Sequence, residues 1–231
     1  MELFVMFDNR ATAPGFTFGW GYSVFIRPLG LLFDTGSETP SLIKNLNLFG
    51  IEPAEIEIIF LSHFHWDHTG GLLGLLPFLN EPEVVVHSAF SQGFLSEVKR
   101  LGRKITHLDN PSEIAKGALS TGLLKGPLPE AGIILQTPRG NLLLTGCAHP
   151  GIVYMTEQAI KISGHIHMVM GGFHLLRKPA QEVIATAQQL KKLGVLKVAP
   201  SHCTGKKAEA IFEEIFSEDF ISVGAGSILS F

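Results

Sequence analysis

Charge is scarce in this chain. Charged residues make up 17% of its 231 positions and hydrophobic ones 45%, which excludes the polar, highly charged composition of a disordered segment. Such a balance points to a large interior covered on both faces. No basic stripe is visible, and the formal net charge is −3 with a pI near 6.4. Binding to a nucleic-acid backbone is therefore disfavoured, and a small molecule or a protein partner is expected. Cysteine is scarcer still: Cys147 and Cys203 are too few for a disulfide framework. The apolar runs are broken by Gly, Pro, Asn and His and fall short of the ~20 residues needed to span a bilayer. The opening "MELFVMFDNR" lacks the basic region of a signal peptide. These absences together predict a cytoplasmic, soluble protein with no membrane and no nucleic-acid partner.

The length suits one domain over 1–231. Short apolar runs predict strands at 2–7, 22–27, 30–35, 56–62, 83–88, 131–137, 141–146, 165–172, 195–200 and 227–231. Helical patterns lie between them. "SETPSLIKNLNLFG" ends in Gly50. "PAQEVIATAQQLKKLG" has Pro near its start, apolar spacing at Val183, Ile184, Ala187 and Leu190, and Gly194 at its end. "TGKKAEAIFEEIF" has Thr204 as its cap. The Pro- and Gly-rich stretch 108–132 reads as an irregular surface excursion of the kind that serves as a lid or binding loop.

What the chain does have is "IFLSHFHWDHTGG". If Ile58 to Ser62 is a strand, His63 and His65 stand two residues apart and point to one side. Asp67 and His68 follow as the chain turns into a Gly-rich helix start. Imidazole nitrogens and a carboxylate oxygen are the ligand types that borderline divalent metals take. Ordinary turn residues would be the alternative for a lone H-x-H, but four such groups at a strand exit favour metal.

"HFHWDH", with "LLFDTGS" upstream, resembles the metallo-β-lactamase fold superfamily, and further segments fall in that superfamily's order nearly to the end of the chain. The resemblance implies an α/β fold, a four-layer αββα sandwich with two mixed sheets flanked by helices. It also implies a dinuclear site: His63 and His65 on the first metal, Asp67, His68 and His202 on the second, and Asp34 orienting a ligand from behind. One departure stands out. The superfamily's bridging aspartate is replaced by Cys147 in "TGCAHPGI", and no histidine lies between His107 and Cys147. His149 is inferred to supply the missing ligand. Cys147 is either a ligand or a small buried hydrophobe.

"TGCAHPGI", "GGFHL" and "SHCTG" resemble one branch in particular, that of the dihydropterin–ribofuranosylaminobenzene phosphate synthase. That implies a hydrolase or transferase that activates water or polarises a phosphorylated, pterin-like substrate at two divalent ions. Zinc comes first, with nickel, manganese or iron also tolerated. Asp67 would help catalysis as well as bind metal. His174 is either an acid–base or substrate residue or a structural histidine, with Gly171 and Gly172 letting backbone approach a ligand closely. Thr204 and Lys206, at the helix start after His202, are either an anion seat or part of a solvated helix face. His87, His107, His165 and His167 receive no functional role. The alternatives are an iron redox enzyme of the same fold, a small-molecule phosphodiesterase, and a non-catalytic metal-binding module.

Overall fold

Apolar runs without alternation form strands because a sheet covered on both faces has no polar side to show to water. The computed structural model describes residues 1–231. It divides them into two compact units, Met1–Asp109 with Gly224–Phe231, and Asn110–Val223. Each unit builds one mixed sheet and carries its own helices, in agreement with the expected α/β class.

The first unit contains β1 (Glu2–Phe7), β2 (Ser23–Arg27), β3 (Leu31–Phe33), β4 (Ile58–Phe60), β5 (Glu83–Val86) and β6 (Ile105–His107). Its helices are α1 (Thr39–Leu48), α2 (Trp66–Thr69), α3 (Leu72–Leu75) and α4 (Gln92–Arg100). A last strand, Ile228–Ser230, pairs antiparallel with β1 at the sheet edge. Strands β3 to β6 run parallel. Phe33 lies level with Phe60 in the β3–β4 register, so Asp34 and Ser62 leave the sheet at the same end, where parallel strands present their carboxyl-terminal loops. Leu32, Ile59 and Val84 are buried with Leu42 and Leu46 of α1, Leu72 and Leu75 of α3, and Leu95 and Val98 of α4. This packing fixes the strand ends from which the ligand loop departs.

The second unit contains β7 (Ser112–Ala115), β8 (Ala118–Ser120), β9 (Ile133–Thr137), β10 (Gly140–Thr145), β11 (Ile166–Gly172) and β12 (Lys197–Ser201). The Ile228–Ser230 strand of the first unit is therefore β13. The helices of the second unit are α5 (Ile152–Ser163), α6 (Ala180–Lys192) and α7 (Lys206–Phe216). Strands β10, β11 and β12 are parallel, with Thr145 level with Gly171, and Gly171 with Pro200. Cys147, His174 and His202 therefore follow neighbouring strand ends. Ile134, Leu143, Val169 and Val198 are buried with Met155 of α5, Val183, Ala187 and Leu190 of α6, and Phe212 of α7.

Four expectations need correction. Thr204 does not cap α7: the cap position is Gly205, and the Thr204 hydroxyl oxygen accepts the Phe173 N–H instead. The stretch 108–132 is not wholly irregular: β7 and β8 form a hairpin that pairs with β9, and Gly117 at φ +83° makes the turn. Its Pro and Gly mark turns between short strands. Ile184 is exposed, not core-facing, because the buried stripe of α6 runs through Val183, Ala187 and Leu190. Gly171 and Gly172 do admit a close approach, but of this chain's own atoms. A Cβ on Gly171 would lie 2.0 Å from the Thr145 carbonyl oxygen, and one on Gly172 2.4 Å from that of Gly146.

Candidate metal centre

The first unit's ligand loop is organised by one buried carboxylate. Asp34, at φ +53°, has no exposed surface. Its Oδ1 accepts the Ser62 backbone N–H at 2.7 Å, and its Oδ2 accepts the Ser62 hydroxyl at 2.7 Å. His68 Nδ1–H donates to the same Oδ2 at 2.6 Å. Since the Ser62 proton goes to Asp34, Ser62 Oγ accepts from His63 Nδ1–H at 2.9 Å. Both imidazoles are thereby held in the tautomer whose Nε2 is the lone-pair nitrogen, the arrangement that outer carboxylates impose on metal-binding histidines.

His63, His68 and Asp67 are buried and His65 half-buried. The His63 ring centroid is 4.9 Å from that of His65 and 4.1 Å from that of His68. His63 and His65 offer ligand atoms within 4.8 Å of one another, as do Asp67 and His68. The glycines that follow are steric necessities. A Cβ on Gly70 would stand 2.3 Å from the Ser37 carbonyl oxygen, and one on Gly71 2.2 Å from that of Thr35. Thr35 N–H and Oγ1–H both reach the His68 carbonyl, at 2.8 and 2.9 Å. The "DTGS" and "HTGG" segments therefore lock together through main chain.

The second unit's ligand loop is held differently. Glu130 is fully buried. Its Oε1 accepts the backbone N–H groups of Gly146, Cys147 and Ala148 at 3.0, 2.9 and 3.0 Å, and its Oε2 that of His149 at 2.9 Å. Successive amides converging on an anion form a nest, and here Ala148 takes φ +56° to complete it. Cys147 and His202 offer ligand atoms within 4.8 Å of each other, as do Cys147, His149 and His174. The His149 and His174 rings lie 4.3 Å apart. A hydrogen bond with Cys203 raises the pKa of His174 above its ordinary value, against an opposing effect of burial. Burial resists ionisation of Cys203, but hydrogen bonds with Cys147 and His174 outweigh it and hold the thiol well below its usual range.

The remaining expected residues are placed as follows. Thr204 is buried, and its hydroxyl oxygen accepts the Phe173 N–H at 3.0 Å. Lys206 is exposed and opens α7. His87 bonds the Ser62 carbonyl at 3.1 Å and His165 that of Gly194 at 2.8 Å. Sequence reasoning does not single out Ser62 or Glu130. Ser62 carries a faint signal, lying next to His63 in the motif; Glu130, 16 residues before Gly146, carries none.

The donors are imidazole nitrogen, carboxylate oxygen and thiol sulfur, with two histidines already oriented by their outer nitrogens. That chemistry fits zinc-group or iron-group divalent ions.

The chain belongs to the metallo-beta-lactamase superfamily, whose family model matches residues 29–202. Within it, the chain resembles the branch of the 7,8-dihydropterin-6-methyl-4-(beta-D-ribofuranosyl)-aminobenzene-5'-phosphate synthase. The Methanocaldococcus jannaschii protein of that name is 32% identical over 247 residues, covering 87% of this chain and 84% of its own length. Tm1679, described as a metal-dependent hydrolase of the beta-lactamase superfamily, superposes with a TM-score of 0.85 at 27% identity over 100% of this chain and 99% of its own. Ribonuclease Z of M. jannaschii is 27% identical, over 90% of this chain and 55% of its own length. The expected exclusion of nucleic acid therefore has no support among the relatives. No helix is long and apolar enough to cross a membrane.

Proposed function

We propose that this chain is a metal-dependent enzyme, a hydrolase or transferase acting on a small, phosphorylated, pterin-like substrate. The observation that carries the reading is the grip of Asp34 on His68 directly and on His63 through Ser62. A fold spends a buried carboxylate in this way when the outer nitrogens must face a cation. The 32% identity to the synthase supports the pterin-like substrate.

In this reading His63, His65 and His149 hold one divalent ion, and Asp67, His68, Cys147 and His202 the other, with zinc the foremost candidate. The two units are then halves of one superfamily domain, in keeping with a family match that runs through both. The bound metals supply Lewis acidity that activates water or polarises a phosphoryl or carbonyl oxygen. Asp34 and Ser62 keep the histidines in one tautomer, so no proton has to move before substrate arrives. His174, whose raised pKa keeps its imidazole protonated closer to neutrality, hands a proton to the leaving group. Lys206, beside Thr204, meets the phosphate end. The cytoplasm is the proposed compartment.

Phosphodiester hydrolysis is a second reading, favoured by the likeness to ribonuclease Z. The test supplies metal-loaded protein with a dihydropterin pyrophosphate and an arylamine phosphate, and separately with a small phosphodiester. Turnover of the first pair, abolished in His68→Ala, supports the leading reading. Turnover of the diester alone supports the second. Activity undiminished in His68→Ala contradicts both.

A further inference from the structure

The chain has two tryptophans, and the first unit places both at the surface on segments tied to its ligand loop. Trp66 opens α2 between His65 and Asp67, is 63% exposed, and its indole enters no ring stack, cation–π contact or hydrogen bond. Trp20 is 42% exposed and Phe18 60%. The segment that carries them is fastened to the loop: the Tyr22 N–H donates to the Asp67 carbonyl at 3.2 Å, and the Gly36 N–H to the Tyr22 carbonyl at 3.0 Å. Gly21 has no room for a side chain, since a Cβ there would lie 2.7 Å from the Asp67 carbonyl oxygen and 2.9 Å from the Ser37 nitrogen. Backbone packing thus draws Gly21 and Tyr22, which follow Trp20 in the chain, against Asp67.

Exposed apolar side chains scattered singly need no explanation. Here three aromatic rings sit on two hydrogen-bonded segments, and one of them stands between two proposed metal ligands. An exposed indole with no ring partner, carried between two proposed metal ligands, is a surface that a flat ring bound there can use. Phe64, the remaining exposed ring of the loop, is accounted for by its own packing: it meets Phe90 at 5.7 Å and Phe94 at 5.2 Å. Trp66 has no such partner. An indole is rigid, with two rotatable side-chain bonds, and its π face accepts a flat heteroaromatic ring offset above it.

We propose that Trp66 is the platform on which the flat ring of the substrate stacks, with Trp20 on the adjoining segment. The proposal rests on the reading of a pterin-like substrate given above, and adds the residue that selects the ring. Stacking on one exposed aromatic residue corresponds to roughly a ten- to hundredfold change in affinity.

The test uses full-length, metal-loaded protein with 6-hydroxymethylpterin, ribose 5-phosphate and a short single-stranded oligoribonucleotide as probes. Calorimetry gives the affinities, and fluorescence under tryptophan-selective excitation, which reports Trp20 and Trp66 and not Tyr22 or Tyr154, locates the contact. In a Trp20→Phe background, where Trp66 is the sole tryptophan, the pterin is expected to quench its emission saturably. Trp66→Ala weakens pterin binding at least tenfold, Trp66→Phe restores it to within about threefold, and ribose 5-phosphate affinity does not follow either change. Metal content equal to the parent shows that the loop is intact; if Trp66→Ala loses metal, Trp66→Leu, which keeps bulk without a π face, takes its place with the same expected loss. Pterin binding that is indifferent to Trp66 overturns the platform and leaves the pterin-like reading standing. Absence of pterin binding in the parent protein overturns both, and quenching by the oligoribonucleotide alone assigns the aromatic surface to nucleic acid instead.

Discussion

Two loops carry all the proposed ligands except His202, one loop in each unit, and each is governed by a buried carboxylate used in the opposite way. In the His63–His68 loop, Asp34 holds side chains: a histidine nitrogen and a serine hydroxyl, with one main-chain amide besides. In the Gly146–His149 loop, Glu130 holds main chain, through four consecutive amides. The difference separates two tasks. A carboxylate on an imidazole sets which nitrogen is free to bind a metal. A carboxylate in an amide nest sets the path of the chain and leaves the side chains to be placed by that path.

The comparison breaks most visibly at Glu130. Glu130→Gln removes the buried charge and turns an amide NH2 toward N–H groups that need an acceptor. Charge-assisted hydrogen bonds contribute about 1.5–3 kcal/mol each, so unfolding in urea should show a loss on the order of 3 kcal/mol or more. The metal affinity of whatever folds should fall less. Asp34→Asn should do the reverse. The isosteric amide can no longer accept from both His68 and Ser62, His68 changes tautomer, and competition with a chelator should show metal binding weakened by roughly 10–100-fold with a smaller change in stability. A large stability loss in Asp34→Asn with metal affinity intact would contradict the division of roles.

Ser62→Ala sharpens the same point, because it severs only the link from Asp34 to His63. The expected loss is about tenfold in affinity, the lower end of the range for outer-shell partners, and it should be confined to the metal that His63 binds. The smallest effect concerns His87 behind this loop, whose pKa is lowered chiefly by burial. The unfolded chain takes up that proton first, near pH 6.5. Stability from keeping His87 neutral is therefore present above that pH and is lost as pH falls below it, at no more than about 1.4 kcal/mol per pH unit for one proton. Urea midpoints of metal-free protein between pH 7.5 and 5.5 should flatten in His87→Gln.

The same contrast explains what could be read from the sequence. A loop controlled through side chains must spell out its residue types, so "DTGS" and "HFHWDH" are visible in the sequence as Asp34 and the histidines. A loop controlled through its backbone accepts many residue types, and its organiser can lie far along the chain, as Glu130 does. Ser62 escapes because a serine beside a histidine has many ordinary uses. Among elements, β1 and α6 are legible, the latter from Pro179 and Gly194 at its ends. Helix α5 is not, because Ile152, Val153, Thr156, Ile160 and Ile162 give it the β-branched composition of a strand. Helix α4 is short and largely polar, with only Leu95 and Val98 buried. Tertiary packing decides both.

The proposed function requires that ligands from the two loops serve the same ions, and counting metals in a double variant tests that proposal most directly. By elemental analysis, the parent chain should hold two divalent ions, His63→Ala and His149→Ala should each lose one, and the double variant should lose no more than either alone. If the double variant loses both ions, or the parent retains none, the two loops do not share a centre.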